Sequence, residues 1–138
     1  MKLHHPELLR SRCYVDGQWV ESGDGNRIEV QDPATGERVG SVPSLGRKET
    51  AAAIQAAQRA WPAWRRLTAK ERSRLLRRWF ELLLENLDDL AVIMTAEQGK
   101  PLAEAREEIL YGASYIEWYA EEAKRVYGDT IPMGQTGK

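Results

Sequence analysis

The composition of this 138-residue chain is typical of a single water-soluble globular unit. Its 20 Lys and Arg residues against 21 Asp and Glu residues give a net charge of −1, so the charge gives no reason to expect a nucleic-acid partner or an anionic membrane. No apolar run approaches the ~20 residues that a membrane-spanning helix needs. The single cysteine, Cys13, excludes an internal disulfide and favours a reducing, cytoplasmic location.

The first residues of the chain carry little structural pattern, and we expect residues 1–10 to form a flexible N-terminus. The adjacent His4 and His5 lack the further ligands that a zinc site needs. A nucleophilic cysteine needs a neighbouring base, and these histidines are the only ones in the chain. A structural thiol is therefore the favoured interpretation of Cys13.

Residues 11–43 have the pattern of two short antiparallel β-hairpins. Asp16-Gly17 is a two-residue loop that tolerates positive φ, between two short runs of strand-forming residues. A second hairpin is predicted from strands around residues 28–30 and 38–42, the latter stopped by Pro43. We expect the four strands to form one small antiparallel sheet that needs another element to cover one face.

Residues 44–128 have a helical period, and three helices are predicted in them. The first runs from Lys48 until Pro62 breaks it. Thr68-Ala69-Lys70-Glu71 has the form of a capping box and begins a second, long helix that ends near Gln98.

The third helix begins beyond a sharp junction in the chain. Gly99 suits the left-handed position just past a helix end, and Pro101 suits the first turn of the next helix. Gly128 is the expected end of this helix. Residues 129–138 have no core pattern and are expected to be a truncated linker.

Charged clusters have both a functional and an ordinary interpretation. The basic residues surround the second helix instead of forming one stripe, so a solvated or subunit-facing surface is favoured over phosphate binding; they are Arg65, Arg66, Lys70, Arg72, Arg74, Arg77 and Arg78. Acidic residues at a helix start interact favourably with the helix dipole, and this role is favoured here over acid–base chemistry. The residues concerned include Glu104, Glu107 and Glu108. No phosphate-binding glycine motif occurs.

Several segments, in this order and spacing, resemble the N-terminal region of the aldehyde dehydrogenase superfamily. They are residues 14–19 (YVDGQW), 32–36 (DPATG), 60–64 (AWPAW), 71–76 (ERSRLL) and 97–105 (EQGKPLAEA). The last segment, with residues 118–123 (WYAEEA) and 127–132 (YGDTIP), is most similar to the succinate-semialdehyde dehydrogenase branch. The resemblance covers about residues 9–132.

The resemblance implies a fold in which two hairpins and three helices form an α+β fragment of a larger α/β, Rossmann-like enzyme of roughly 480 residues. It implies oxidation of succinate semialdehyde to succinate with NAD or NADP, in a homo-oligomer, a dimer or a tetramer. Residues 11–43 would belong to the oligomerisation part, and residues 44–128 would pack on the cofactor domain. The nucleophilic cysteine, the glutamate base, the oxyanion-hole asparagine and the cofactor turn of the family all come later in the chain. Cys13 does not match the nucleophile's motif.

This chain alone is therefore expected to be inactive, to bind no cofactor and to expose apolar patches. The alternatives are another aldehyde or semialdehyde dehydrogenase of the superfamily, or a non-catalytic helical interaction module.

The resemblance also implies a monovalent-cation site. Val30, Gln31 and Glu97 occupy the matching positions, and carbonyl oxygens with one carboxylate suit a hard cation. Ordinary helix capping is the alternative role for these residues.

Overall fold

The computed structural model describes residues 1–129, in which two hairpins are followed by four helices. The strands are β1 Cys13–Val15, β2 Gln18–Val20, β3 Arg27–Gln31 and β4 Arg38–Pro43; the helices are α1 Arg47–Arg66, α2 Ala69–Glu85, α3 Leu87–Gln98 and α4 Leu102–Glu122, and a short 3-10 turn spans Pro6–Leu8.

Both predicted hairpins are confirmed, but they do not join into one sheet. β1 pairs only with β2 and β3 only with β4, each antiparallel. The loop between β2 and β3 satisfies its own polar groups, since the Ser22 hydroxyl donates to the Asn26 carbonyl at 2.7 Å and the Asn26 amide donates to the Asp24 carboxylate at 2.9 Å. The loop is therefore a compact turn, and the expectation of a four-stranded sheet was wrong.

The proline in α1 does not break the helix where the sequence predicted. Pro62 lies inside α1, which continues to Arg66. Proline costs one backbone hydrogen bond, here the one to the Gln58 carbonyl. Because Pro62 is near the helix end, the remaining turn still forms.

The predicted second helix is two helices, so the chain has one more helix than expected. Its capping box is confirmed, because the Glu71 amide donates to the Thr68 hydroxyl at 3.3 Å and the Thr68 amide donates to the Glu71 carboxylate at 2.7 Å. The break falls at Asn86, which leaves helical geometry at φ −110° and ψ 15°. Its side-chain amide donates to the Leu82 carbonyl at 2.8 Å, a local bond that competes with helix continuation.

α4 ends at Glu122, earlier than the predicted stop at Gly128. The hydrogen bonds after α4 have the three-residue spacing of a 3-10 turn. The Lys124 amide donates to the Glu121 carbonyl, and the Arg125 amide donates to the Glu122 carbonyl. The predicted linker, apart from Asp129, lies outside the described residues. No helix within residues 1–129 has the length and apolar character to span a membrane.

The helices α2, α3 and α4 pack through small residues. Ala91 on α3 and Ala105, Ala113 and Ala120 on α4 have no exposed surface. In residues 1–129 no large side chain is fully buried. The helices therefore approach each other closely. Many large apolar side chains of α2 and α4 are exposed, while those of α3 are half-buried.

Candidate functional site

The turn after β3 lies against the end of α3, which brings the predicted cation-site residues into one region. α3 ends at Gly99, whose φ of +73° is left-handed as the sequence predicted. A Cβ at Gly99 would lie 2.7 Å from Cγ of Pro33, so only glycine permits this approach without a shift. The contact joins the end of the second hairpin to the end of α3.

Val30 and Glu97 line the same cleft, together with Leu9, Arg10 and Ser11 from the N-terminal segment. Gln31 is exposed at the end of β3 and does not line it. The strand pairing shifts register between Val30 and Gln31. A bulge of this kind interrupts the ladder and frees backbone groups from cross-strand pairing.

The charged side chains that line this cleft are Glu97 and Arg10. Glu97 lies in the last turn of α3, where the helix dipole is negative and the last carbonyls lack helical partners. The register shift leaves one extra residue, Val39 of β4, without a cross-strand partner beside this cleft. The monovalent-cation site stays a prediction. Within residues 1–129 no group of three or more His, Cys, Asp and Glu side chains could hold a metal ion.

The structure gives His4 and His5 a contact that the sequence did not predict. Their backbone amides donate to the Asp89 carboxylate in the first turn of α3. These bonds lower the pKa of Asp89, the amide of His4 having the largest effect. Flexibility of residues 1–10 stays a prediction. Asp89 carried only a helix-start signal in the sequence, and no local pattern could have linked it to His4, 85 positions away.

Cys13 and the basic cluster have ordinary surroundings. Cys13 is a half-buried thiol in β1. Arg77 donates to Glu117 at 2.7 Å and thereby joins α2 to α4, while Arg78 donates to Glu85 at 2.8 Å. These bonds use guanidinium groups in ion pairs on the helix surface, which supports the interpretation of the cluster as a solvated surface.

α4 presents an exposed aromatic face to solvent, formed by Tyr111, Tyr115, Trp118 and Tyr119. Their exposed fractions range from 50% for Tyr115 to 64% for Tyr111. The hydroxyls of Tyr111 and Tyr115 lie 2.6 Å apart, and this hydrogen bond raises the pKa of Tyr115. Such a concentration of large exposed aromatic surface is typical of interaction surfaces.

Comparison with known proteins identifies the family of the chain. The model of the aldehyde dehydrogenase family matches residues 19–138. The chain is 60% identical over its whole length to a glutarate-semialdehyde dehydrogenase of Pseudomonas putida, and 57% identical to an NADP-dependent succinate-semialdehyde dehydrogenase of Escherichia coli. It spans 29% of the length of each of these relatives.

The fold comparison agrees with the sequence comparison. The crystal structure of an NADP-dependent enzyme of E. coli superposes with a TM-score of 0.96 at 57% identity, over 98% of this chain and 28% of that one. The hairpins and helices therefore have the arrangement of the corresponding part of that enzyme. The chain belongs to the aldehyde dehydrogenase family.

Proposed function

We propose that this chain is the N-terminal scaffold of an NAD(P)-dependent aldehyde dehydrogenase that oxidises succinate semialdehyde to succinate. The observation that carries the scaffold role is the mismatch between the alanine interior and the exposed aromatic face of α4. An independent domain buries its largest apolar side chains first, because they contribute the most hydrophobic free energy. Here these side chains remain available for further polypeptide. Packing of the helical segment, residues 44–128, on a cofactor domain would cover the aromatic face of α4.

The substrate assignment depends on the relatives, whose names divide between succinate and glutarate semialdehyde. The two substrates differ by one methylene, which a hydrophobic pocket discriminates by roughly 10–200-fold. The test is kcat/KM of the complete protein, meaning the family-length polypeptide that we propose contains this chain, with both substrates and with NAD and NADP. A higher kcat/KM for glutarate semialdehyde would overturn the substrate assignment.

The 138-residue chain alone is predicted to bind no NADP and to oxidise neither substrate. Turnover by this chain would contradict the scaffold role. A monodisperse monomer that unfolds cooperatively would favour the alternative of an independent helical interaction module. We further propose a cytoplasmic homo-oligomer, supported by the lone thiol of Cys13 and by the large exposed apolar surface.

We propose that the cleft of Val30 and Glu97 binds a monovalent cation, with Gln31 contributing to the site through its backbone. Support comes from the negative end of α3 and from the Gly99–Pro33 contact, which brings the turn after β3 close to the end of α3. The melting temperature of the complete protein is expected to be higher in sodium or potassium than in a bulky organic cation. Glu97→Gln should remove this difference, while the matched control Glu104→Gln, on the exposed start of α4, should keep it. Equal melting temperatures in all three salts would refute the site.

A further inference from the structure

A small cleft between the N-terminal residues and the first hairpin has a basic lining. Its volume is about 280 Å³, and the residues that line it are Leu9, Arg10, Ser11, Arg12 and Trp19. Two of these residues are arginines and none is acidic. This cleft, here called the arginine cleft, therefore attracts negative charge.

Arg10 presents its hydrogen-bond donors in a fixed orientation. Its guanidinium carbon lies 4.8 Å from the centroid of the Trp19 ring, which is a cation–π distance. Stacking uses the flat face of a guanidinium and leaves the N–H groups along its edge available. Within residues 1–129 Arg10 forms no ion pair with a carboxylate. Trp19 thus orients Arg10 without neutralising its charge.

Arg12 is oriented by a carboxylate of the same hairpin. Its Nε donates to Oε1 of Glu21 at 3.0 Å. The hairpin register sets this pair, since Arg12 precedes β1 and Glu21 follows β2, directly beyond the last paired residues. Because the bond uses only Nε, the terminal nitrogens of Arg12 can donate to a further acceptor.

Arg27 binds the second oxygen of Glu21 and fixes the backbone of the cleft. Its guanidinium donates to Oε2 of Glu21, and also to the Ser11 carbonyl at 2.6 Å. Glu21 thus pairs with two arginines, and Arg10 adds a further positive charge. The Glu97 carboxylate lies on the neighbouring cleft that Arg10 also lines, but the part of the chain that the structure describes has no ion pair between them. The arginine cleft therefore keeps a surplus of positive charge.

We propose that the arginine cleft binds a small oxyanion between the guanidinium groups of Arg10 and Arg12. Planar guanidinium groups donate paired hydrogen bonds to the oxygens of carboxylate and phosphate groups. The Ser11 hydroxyl at the same cleft is a further donor. A volume of about 280 Å³ suits a ligand of the size of inorganic phosphate or a short dicarboxylate. This binding requires neither the cation site nor the catalytic role proposed above.

Ligand-observed NMR of the complete protein tests the site, because it detects weak binding to a large protein. Inorganic phosphate and succinate are titrated separately at low ionic strength. Because both guanidinium groups are exposed, we expect a Kd on the order of 1 mM for at least one of the two anions. Failure of both anions to bind would overturn the proposal.

Two variants locate the binding. Arg10→Gln and Arg12→Gln should each raise the Kd about tenfold, because hydrogen bonds to a charged group are lost. Arg38→Gln makes the same change of charge at a residue that pairs with Glu29 on the second hairpin, and should leave the Kd unchanged. A Kd that is equal in all three variants would place the anion elsewhere in the complete protein and refute the site.

The same variants identify the chemical group that is bound. Loss of phosphate binding in Arg10→Gln and Arg12→Gln supports a site for phosphate groups, and loss of succinate binding supports a site for carboxylates. Succinate held at a catalytic site would be unaffected by both substitutions, so this outcome does not depend on the proposed function.

A further pair of variants tests the orientation of Arg10. Trp19→Leu keeps both arginines but removes the stacking surface, and it should raise the Kd several-fold. Trp79→Leu replaces an exposed tryptophan of α2 and is the matched control, with an unchanged Kd. An unchanged Kd in Trp19→Leu as well would contradict a site built on the stacked guanidinium.

Discussion

The N-terminal region and the α2–α4 pair are held together by different means. Specific contacts join residues 4–12, the hairpins and α3, such as the hydrogen bonds from the His4 and His5 amides to the Asp89 carboxylate and the contact of Pro33 with Gly99. α2 and α4 meet through small side chains, with Ala113 and Ala120 fully buried between helices. The first region fixes positions of individual groups, while the second brings helix surfaces close.

This difference explains what each region can do. Specific ties place Glu97 and Val30 in one cleft, and so they create a candidate site. The small-residue contact instead turns the large side chains of α4 outwards, with Trp118 61% exposed. The contacts of the first region are made within this chain, whereas the second presents the surface that we propose is covered by further polypeptide.

The largest expected effect concerns the aromatic face. In the complete protein Trp118→Ala should lower the free energy of unfolding by about 3–5 kcal/mol, because a covered tryptophan would leave a cavity. Urea unfolding of the complete protein measures this loss. Lys124→Ala, in the turn after α4, is the control and should change the free energy of unfolding by no more than about 0.5 kcal/mol. An equally small change for Trp118→Ala would contradict a covered aromatic face.

The small-residue contact can be broken by adding volume. Ala113→Leu should destabilise the protein by about 1–3 kcal/mol, because α4 has no room for the added atoms at this fully buried position. The neighbouring Gly112→Ala meets no atom within 4 Å and should instead stabilise α4 by about 0.5–1 kcal/mol. Thermal unfolding of the two variants compares them. A neutral Ala113→Leu would mean that the helices are not closely packed.

Two glycines with the same backbone conformation test the contact between the second hairpin and α3. Gly99→Ala and Gly36→Ala both place a side chain at left-handed φ, +73° and +74°, which costs about 1–2 kcal/mol. Only at Gly99 does the new Cβ also meet Pro33. We expect Gly99→Ala to be the more destabilising in urea unfolding, and to reduce the cation dependence of the melting temperature. Equal losses would show that the Pro33 contact is unimportant.

The smallest effect concerns the start of α2. Thr68→Ala should cost about 1 kcal/mol by removing a helix cap. Hydrogen bonds from the Thr68 hydroxyl and amide lower the pKa of Glu71 below its ordinary value of 4.5. The carboxylate's contribution is therefore complete above pH 4.5 and is lost as the pH falls through the lowered pKa. Chemical unfolding from pH 3 to 7 should show a smaller Thr68→Ala penalty at the acid end, and a penalty independent of pH would contradict this role of Glu71.

Features that depend on neighbouring residues were predictable from the sequence. The Asp16-Gly17 turn, the Thr68 capping box and the left-handed Gly99 were all predicted from residue types that fit only a few backbone conformations. Competition between a side-chain hydrogen bond and continuation of a helix was harder to predict. Asn86 ended α2 through a side-chain bond to Leu82, although the apolar stripe continues past it.

Features that join distant parts of the chain were not predictable from the residue pattern. No sequence pattern connects Asp89 with His4, and their contact depends on how α3 lies beside the N-terminal residues. Glu97 was paired with Val30 through family resemblance alone. The structure places both in one cleft, but the contribution of Gln31 stays a prediction.

The central claim is that the aromatic face of α4 is covered by polypeptide beyond this chain. Hydroxyl-radical footprinting of Tyr111, Tyr115, Trp118 and Tyr119 measures it most directly, by comparing the 138-residue chain with the complete protein. We predict that Trp118 and Tyr119 are modified at least about tenfold more slowly in the complete protein, because covered side chains are shielded from solvent. Equal modification rates in the two proteins would contradict the scaffold role.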